Sequence, residues 1–225
     1  TCALPICEPS HAQSLNLLGL MAQAAGDHRS AVKAFAKAIA ADDVNAACHY
    51  NAGNSYQALG NRAKAAAHFS KALALGMDAK AVGFILQSPT VTRYVGRIAG
   101  KWPLPVTSAD LFGGEGVAAL ASDLFLRCAM EATTLAGMQL EVLLGHVRAE
   151  LLRLAGEQRR DGDDDDLIAF ACALARQCFI NEYVYGQTEA EAERAAALRD
   201  RLLHDLASNA AFTPLTDRKS TRLNS

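Results

Sequence analysis

The residues with the chemistry to hold a metal or move a proton are six histidines, six cysteines and one cluster of aspartates. Their spacing suits neither task. His11, His28, His49, His68, His146 and His204 are scattered, with no His-x-x-x-His pair and no carboxylate at ligand spacing. Cys2, Cys7, Cys48, Cys128, Cys172 and Cys178 form no Cys-x-x-Cys pair. Cys172 and Cys178 fall on one predicted helix about 240° apart around its axis, so they do not clasp a single ion. The cysteines therefore read as reduced, small core residues of a cytoplasmic protein. Asp161 and Asp163–Asp166 begin like a calcium loop. Such a loop needs glycine sixth and glutamate twelfth, where this chain has Asp166 and Cys172. A solvated loop, with Asp165 or Asp166 capping the next helix, is the better reading. Gly113, Gly114 and Gly116 surround Glu115, but no strand precedes them, so they read as a flexible turn rather than a nucleotide cradle. The sequence thus leads us to expect no catalytic residues, no metal and no cofactor in this chain.

The composition points to helices. The chain has 225 residues, enough for one or two domains with a sizeable core, and alanine is abundant throughout. Alanine is the best helix former and a poor core filler, which suits closely packed helices. A net charge of -2 gives no basic field for nucleic acid, and no apolar run approaches a bilayer span. We expect neither a nucleic-acid nor a membrane partner.

A shift of 34 residues superimposes Gly19 on Gly53, Gly26 on Gly60, Ala31 on Ala65, Phe35 on Phe69, Lys37 on Lys71 and Ala38 on Ala72. Each unit reads as helix, tight turn, helix. Gly19 and Gly53 sit in mid-helix, where glycine costs about 1 kcal/mol relative to alanine, so a close approach by the partner helix is expected. Gly26 and Gly60 suit left-handed caps, with Asp27 and Asn61 as the following N-caps. Phe35 and Phe69 are expected to fill the space between successive hairpins. Ala31, Ala38, Ala65 and Ala72 mark the close contacts. This pattern resembles the tetratricopeptide repeat family over residues 12–79. There are departures. The aromatic residue usual near the start of the first helix is Leu15 in one unit and His49 in the other. The proline usual after the second helix is Asp43 and Met77. A further shift reaches Gln87 and Pro103, so the repeat stops after two units, and a capping helix is expected over residues 78–87.

The resemblance implies an all-α superhelix that binds a protein or peptide in the groove lined by the first helix of each unit. The corresponding positions are Gln13, Asn16, Leu20 and Gln23, then Tyr50, Asn51, Asn54 and Gln57. Amides there pair with a ligand backbone whatever its sequence. Asn51 and Asn54, in the run HYNAGN, resemble the asparagine ladder of some peptide-binding arrays. The alternative is that all of these are exposed polar positions of amphipathic helices. The family's carboxylate clamp needs cations on a third repeat, so a receptor for chaperone tails is not expected.

Residues 88–116 read as a linker with a short helix, and residues 117–209 as a second helical domain. Leu140, Leu143, Leu144, Val147, Leu151 and Leu154 recur at helical spacing, as do Leu167, Phe170, Ala171, Leu174 and Cys178. Thr188 and Glu191 form a capping box for a last helix whose stripe is Ala195, Leu198, Leu202 and Leu206. Asn181 and Glu182 either face a neighbouring domain or, the better reading, are ordinary surface residues of a half-buried helix. Residues 104–123 and the run Leu167 to Tyr185 resemble a segment of bacterial proteins that fuse these repeats to a class I S-adenosylmethionine-dependent methyltransferase. The resemblance implies a longer parent using S-adenosylmethionine, with this region regulating it or presenting a substrate; the catalytic fold itself is not in this sequence. Residues 1–11 and 210–225 fit neither flanking pattern. Thr1–Cys7 and Asp217–Ser225 resemble translated adapter sequence, and we read the chain as a fragment.

Overall fold

A computed structural model of the chain describes residues 9–101, 103–113, 116–156, 165–181, 186 and 188–208. The suspected foreign stretches lie largely outside these residues, although the first helix already begins at Pro9. The elements in chain order are α1 (Pro9–Ala24), α2 (His28–Ala41), α3 (Ala46–Ala58), α4 (Arg62–Ala72), α5 (Ala81–Gln87), α6 (Pro89–Lys101), α7 (Ser108–Phe112), α8 (Ala118–Ala121), α9 (Leu124–Ala132), α10 (Met138–Gly156), α11 (Asp165–Ile180) and α12 (Glu189–Ala207). Among the described residues there is no strand, so the all-α expectation holds.

The chain divides into two compact units, Thr1–Ser88 with Asp123–Leu135 and Pro89–Ser122 with Ala136–Ser225. The first is built on two helical hairpins whose turns match bond for bond. Gly26 and Gly60 have φ of 77° and 74°, which glycine adopts without a Cβ penalty. The Asp27 amide donates to the Ala22 carbonyl and the Asn61 amide to the Tyr56 carbonyl, each at 2.9 Å. Asp27 then accepts from the Ser30 amide at 3.0 Å, and Asn61 from the Lys64 amide at 3.2 Å. Both N-caps are the residues expected from the sequence.

The mid-helix glycines find their reason in the aromatic ring of their own hairpin. A Cβ at Gly53 would lie 2.5 Å from Cε1 of Phe69, and one at Gly19 would run into Phe35 in the same way. Each ring therefore seats inside its hairpin rather than simply between hairpins. Phe35 also reaches the next one, packing with Ala31 and Ala52. Ala31, Ala38, Ala65 and Ala72 are all fully buried.

Residues 78–87 are helical, a 3-10 turn over Asp78–Lys80 running straight into α5, and before them Leu73–Met77 makes a turn that Gly76 closes at φ 96°. The rest of the stack's end differs from expectation. The place of a third hairpin against α4 is taken by α9, from a segment assigned by sequence to the other domain. Asp123 fixes α9, accepting from the Leu126 amide at 3.0 Å and from the Ser88 hydroxyl at 2.7 Å.

In the second unit, most of the stretch expected to be a linker, residues 88–116, is packed. It carries α6 and α7, with Val91, Tyr94, Leu111 and Phe112 buried. The Tyr94 hydroxyl donates to the Gly116 carbonyl at 3.2 Å, and Arg97 donates to the Leu111 carbonyl at 2.6 Å. Leu140, Leu143, Leu144 and Val147 of α10 are buried as their spacing predicts, whereas Leu151 and Leu154 are half-buried. Phe170, Leu174 and Cys178 of α11 are buried, and Leu167 and Ala171 half-buried. Cys172 is exposed, which corrects its reading as a core residue; Cys2 and Cys7 lie outside the described residues. Asp165 and Asp166 stand in the first turn of α11, while the rest of the acidic run lies outside the described residues. Gly113, at φ 51°, closes α7 as a turn residue. The Thr188–Glu191 capping box forms, with the Glu191 amide donating to the Thr188 hydroxyl at 3.2 Å. The outer half of the α12 stripe, Leu202 and Leu206, is exposed.

Candidate functional site

Six of the eight groove candidates are amides. Asn16 on α1 and Asn51 on α3 meet directly, Asn51 Nδ2 donating to Asn16 Oδ1 at 3.0 Å. That bond ties the first helices of the two hairpins together. A primary amide has two donors and two acceptor lone pairs, so the pair keeps capacity for a ligand. Gln13 and Leu20 are exposed, and Gln23, Asn54 and Gln57 half-buried.

Tyr50 has a different place. Its ring packs against Phe69 at 5.9 Å and against Phe84 and Phe125 at 4.9 Å, in an aromatic cluster drawn from α3, α4, α5 and α9. The ring is therefore part of the core rather than a groove wall. Burial pushes the Tyr50 phenol up; the nearby Asn54 side chain pulls the other way, and the Asp123 charge adds to the rise. Tyr50 thus stays protonated at neutral pH.

Sequence spacing missed one pair altogether. His49 and His68, read as scattered, face each other across the second hairpin with their Nδ1 atoms 3.1 Å apart. His49 Nε2 lies 3.3 Å from the Asp43 carbonyl oxygen, which only accepts, so His49 carries its proton there. Its Nδ1 then accepts from His68 Nδ1–H when both rings are neutral. Burial, more than any neighbouring charge, lowers both pKa values; Lys71 adds to the effect at His49, and His49 and Lys64 add to it at His68. Tyr56 stacks on His68 at 5.3 Å. The available signal was the replacement of the expected aromatic residue by His49.

Two profiles described as the tetratricopeptide repeat match the chain, one over residues 12–45 and the other over residues 46–79. Their boundaries fall where the 34-residue shift and the matching turns place them. Residues 12–79 are two tetratricopeptide repeats. No curated protein and no solved structure matches the chain significantly.

Outside the tetratricopeptide repeats, the second unit has a cleft of about 370 Å³ lined by Glu141, His146, Thr188 and Glu191, among others. Its charged groups serve the fold. Glu191 accepts from Arg148 at 3.1 Å and from the Thr188 amide at 2.8 Å. Burial pushes Glu191 up, but those bonds and the Arg148 charge outweigh it and leave its pKa low. Glu141 accepts from the Gly137 amide at 2.9 Å. Burial lowers the His146 pKa, so it is neutral. Asn181 is half-buried, and Glu182 lies outside the described residues. Among the described residues, no group of three or more histidines, cysteines or carboxylates converges as a metal site, and no helix is long and apolar enough to cross a membrane.

Proposed function

We propose that the two tetratricopeptide repeats hold a protein or peptide in extended form along the first helices, without chemistry of their own. The observation that carries this reading is the Asn51–Asn16 bond, which sets amides of both repeats side by side on adjacent first helices. An extended backbone offers one donor and one acceptor per residue, and neighbouring amides satisfy both regardless of side chain. Gln13, Gln23, Asn54 and Gln57 continue the row, and Leu20 supplies an apolar contact. Conversely, the carboxylates lining the second unit's cleft are committed to the fold, Glu141 to the Gly137 amide and Glu191 to Thr188 and Arg148. The proposed scaffold acts within the cytoplasm and uses no cofactor.

The test is selection from a displayed library of random linear peptides on the intact chain, followed by calorimetry. Selected peptides should bind the Asn54→Ala, Gln57→Ala double variant about tenfold or more weakly, the loss of one to two hydrogen bonds. Enriched peptides that bind parent and variant equally would refute the groove. The alternative, that this region presents a substrate to a methyltransferase, rests on the sequence resemblance alone, and no feature of the helices favours it.

A further inference from the structure

The chain's net charge of -2 hides a segregation between the two layers of the repeats. The first helices, α1 and α3, carry no aspartate, glutamate, lysine or arginine. The second helices carry cations alone: Arg29, Lys33 and Lys37 on α2, and Arg62, Lys64 and Lys71 on α4. Neither holds an aspartate or a glutamate. Arg62 is half-buried, and the other five are exposed. Lys37 and Lys71 stand at the same position of successive repeats, so the exposed faces of α2 and α4 look out on one side. Four residues of helix rise about 6 Å, so Arg29, Lys33 and Lys37 make a row with one cation per turn. Asp27 and Asp42 cap the two ends of α2, and the face between them has no anion of its own.

We infer that the exposed face of α2 and α4 docks an acidic segment of a partner protein. Cations of one sign set this close repel one another, and an anionic partner relieves that repulsion. What stands between the cations selects among anions. Those exposed positions are Ser30, Ala36, Ala63, Ala67 and Ser70. Phe35 and Phe69, the phenylalanines of these helices, are fully buried, so neither stacks on a nucleic-acid base. No large apolar side chain of α2 or α4 is exposed, so nothing on this face enters a lipid surface. An acidic polypeptide needs neither device. A helix with a carboxylate at every fourth residue repeats at about 6 Å, the period of the row on α2. The chain's own acidic run is a poor match. Asp165 and Asp166 already stand in the first turn of α11, where the helix dipole favours them, leaving Asp161, Asp163 and Asp164 against six cations. The first helices line the amide groove and the second helices bear this face, so the two surfaces are independent.

The probe is a fluorescently labelled peptide of about 20 residues, with glutamate at every fourth position and alanine and glutamine between, titrated against the intact chain by anisotropy. Saturable binding is expected at low salt, weakening about tenfold or more between about 0.05 M and 0.5 M salt. The double variant Lys33→Glu, Lys37→Glu should weaken it about tenfold or more. Both side chains stand in solvent, so this variant should melt with the parent. The double variant Arg176→Glu, Arg199→Glu makes the same change in net charge within the second unit and should keep the parent affinity. Asn54→Ala should keep it as well, which separates this face from the groove. Absence of saturable binding, or equal losses in the two double variants, would overturn the assignment. A thymidine oligonucleotide or a phosphatidylserine vesicle that binds more tightly than the peptide, and is lost with Lys33→Glu and Lys37→Glu, would put nucleic acid or membrane in the partner's place. Tighter peptide binding after Asp161→Asn, Asp163→Asn and Asp164→Asn together would show the chain's own acidic run to be the occupant, and would equally overturn it.

Discussion

Gly53→Ala should destabilise the repeats although alanine is the better helix former. The new Cβ would lie 2.5 Å from Cε1 and 2.6 Å from Cδ1 of Phe69. Carbon atoms are comfortable at about 3.5–4.0 Å, so the ring or the helix must give by about 1 Å. Phe69 has nowhere to go, being fully buried with Tyr50 at 5.9 Å and Phe125 at 5.3 Å. Overpacking of a rigid site costs about 1–3 kcal/mol, and this one belongs in the upper half of that range. Helix propensity returns about 1 kcal/mol. The net loss is about 1–2 kcal/mol. The sign should reverse once the ring is removed. Phe69→Ala alone should cost about 3–5 kcal/mol, and adding Gly53→Ala to it should recover about 1 kcal/mol. Hydrogen exchange at α3 and α4 amides measures these changes without averaging over the second unit. A stabilising Gly53→Ala in the parent, or two effects that add within about 0.5 kcal/mol, would refute the reasoning.

Three further outcomes are expected. The His49–His68 pair should make the second repeat acid-sensitive. Both folded pKa values are held below 6.5, so the stability of the neutral pair is complete above about pH 6.5 and declines as the pH falls from there toward the folded values. Local exchange protection should accordingly weaken as the pH falls below about 6.5 in the parent and much less in His68→Phe; equal pH dependence would contradict the pairing. Phe125→Ala, distant in sequence, should lower protection in α3 and α4 by about 3–5 kcal/mol if α9 closes the stack, and by nearly nothing if it does not. Thr188→Ala should cost the second unit about 1 kcal/mol by removing the α12 cap, readable as a lower urea midpoint, and no change would show that the cap contributes nothing.

The hairpins were legible because their signals are local and doubled. Gly26–Asp27 and Gly60–Asn61 each place a left-handed residue before a capping side chain. The spacing from Gly19 to Phe35 and from Gly53 to Phe69 is constant because each ring fills the space its glycine leaves. The closing helix was not legible. Between α5 and α9 lie residues of the other unit, and Phe125 belongs to no periodic pattern shared with Tyr50, Phe69 or Phe84. Residues 88–116 read as a linker because no long apolar periodicity runs through them. Pro89 in fact occupies the first position of α6, where its missing N–H has no helical partner to lose. On the first helices, sequence position marked Asn16 and Asn51, whose side chains meet. It misplaced Tyr50, whose ring turns to the cluster because burying an aromatic face outweighs exposing it. His49 and His68 went unpaired because their separation of 19 residues crosses a turn and matches no ligand spacing.

The most direct test of the scaffold reading is an amide-resolved NMR titration of the intact chain with a peptide selected as above. The side-chain NH2 signals of Asn16, Asn51, Asn54 and Gln57 should shift together and saturate at one affinity. Shifts confined to residues around Glu141 and His146 would place recognition in the second unit and contradict the account.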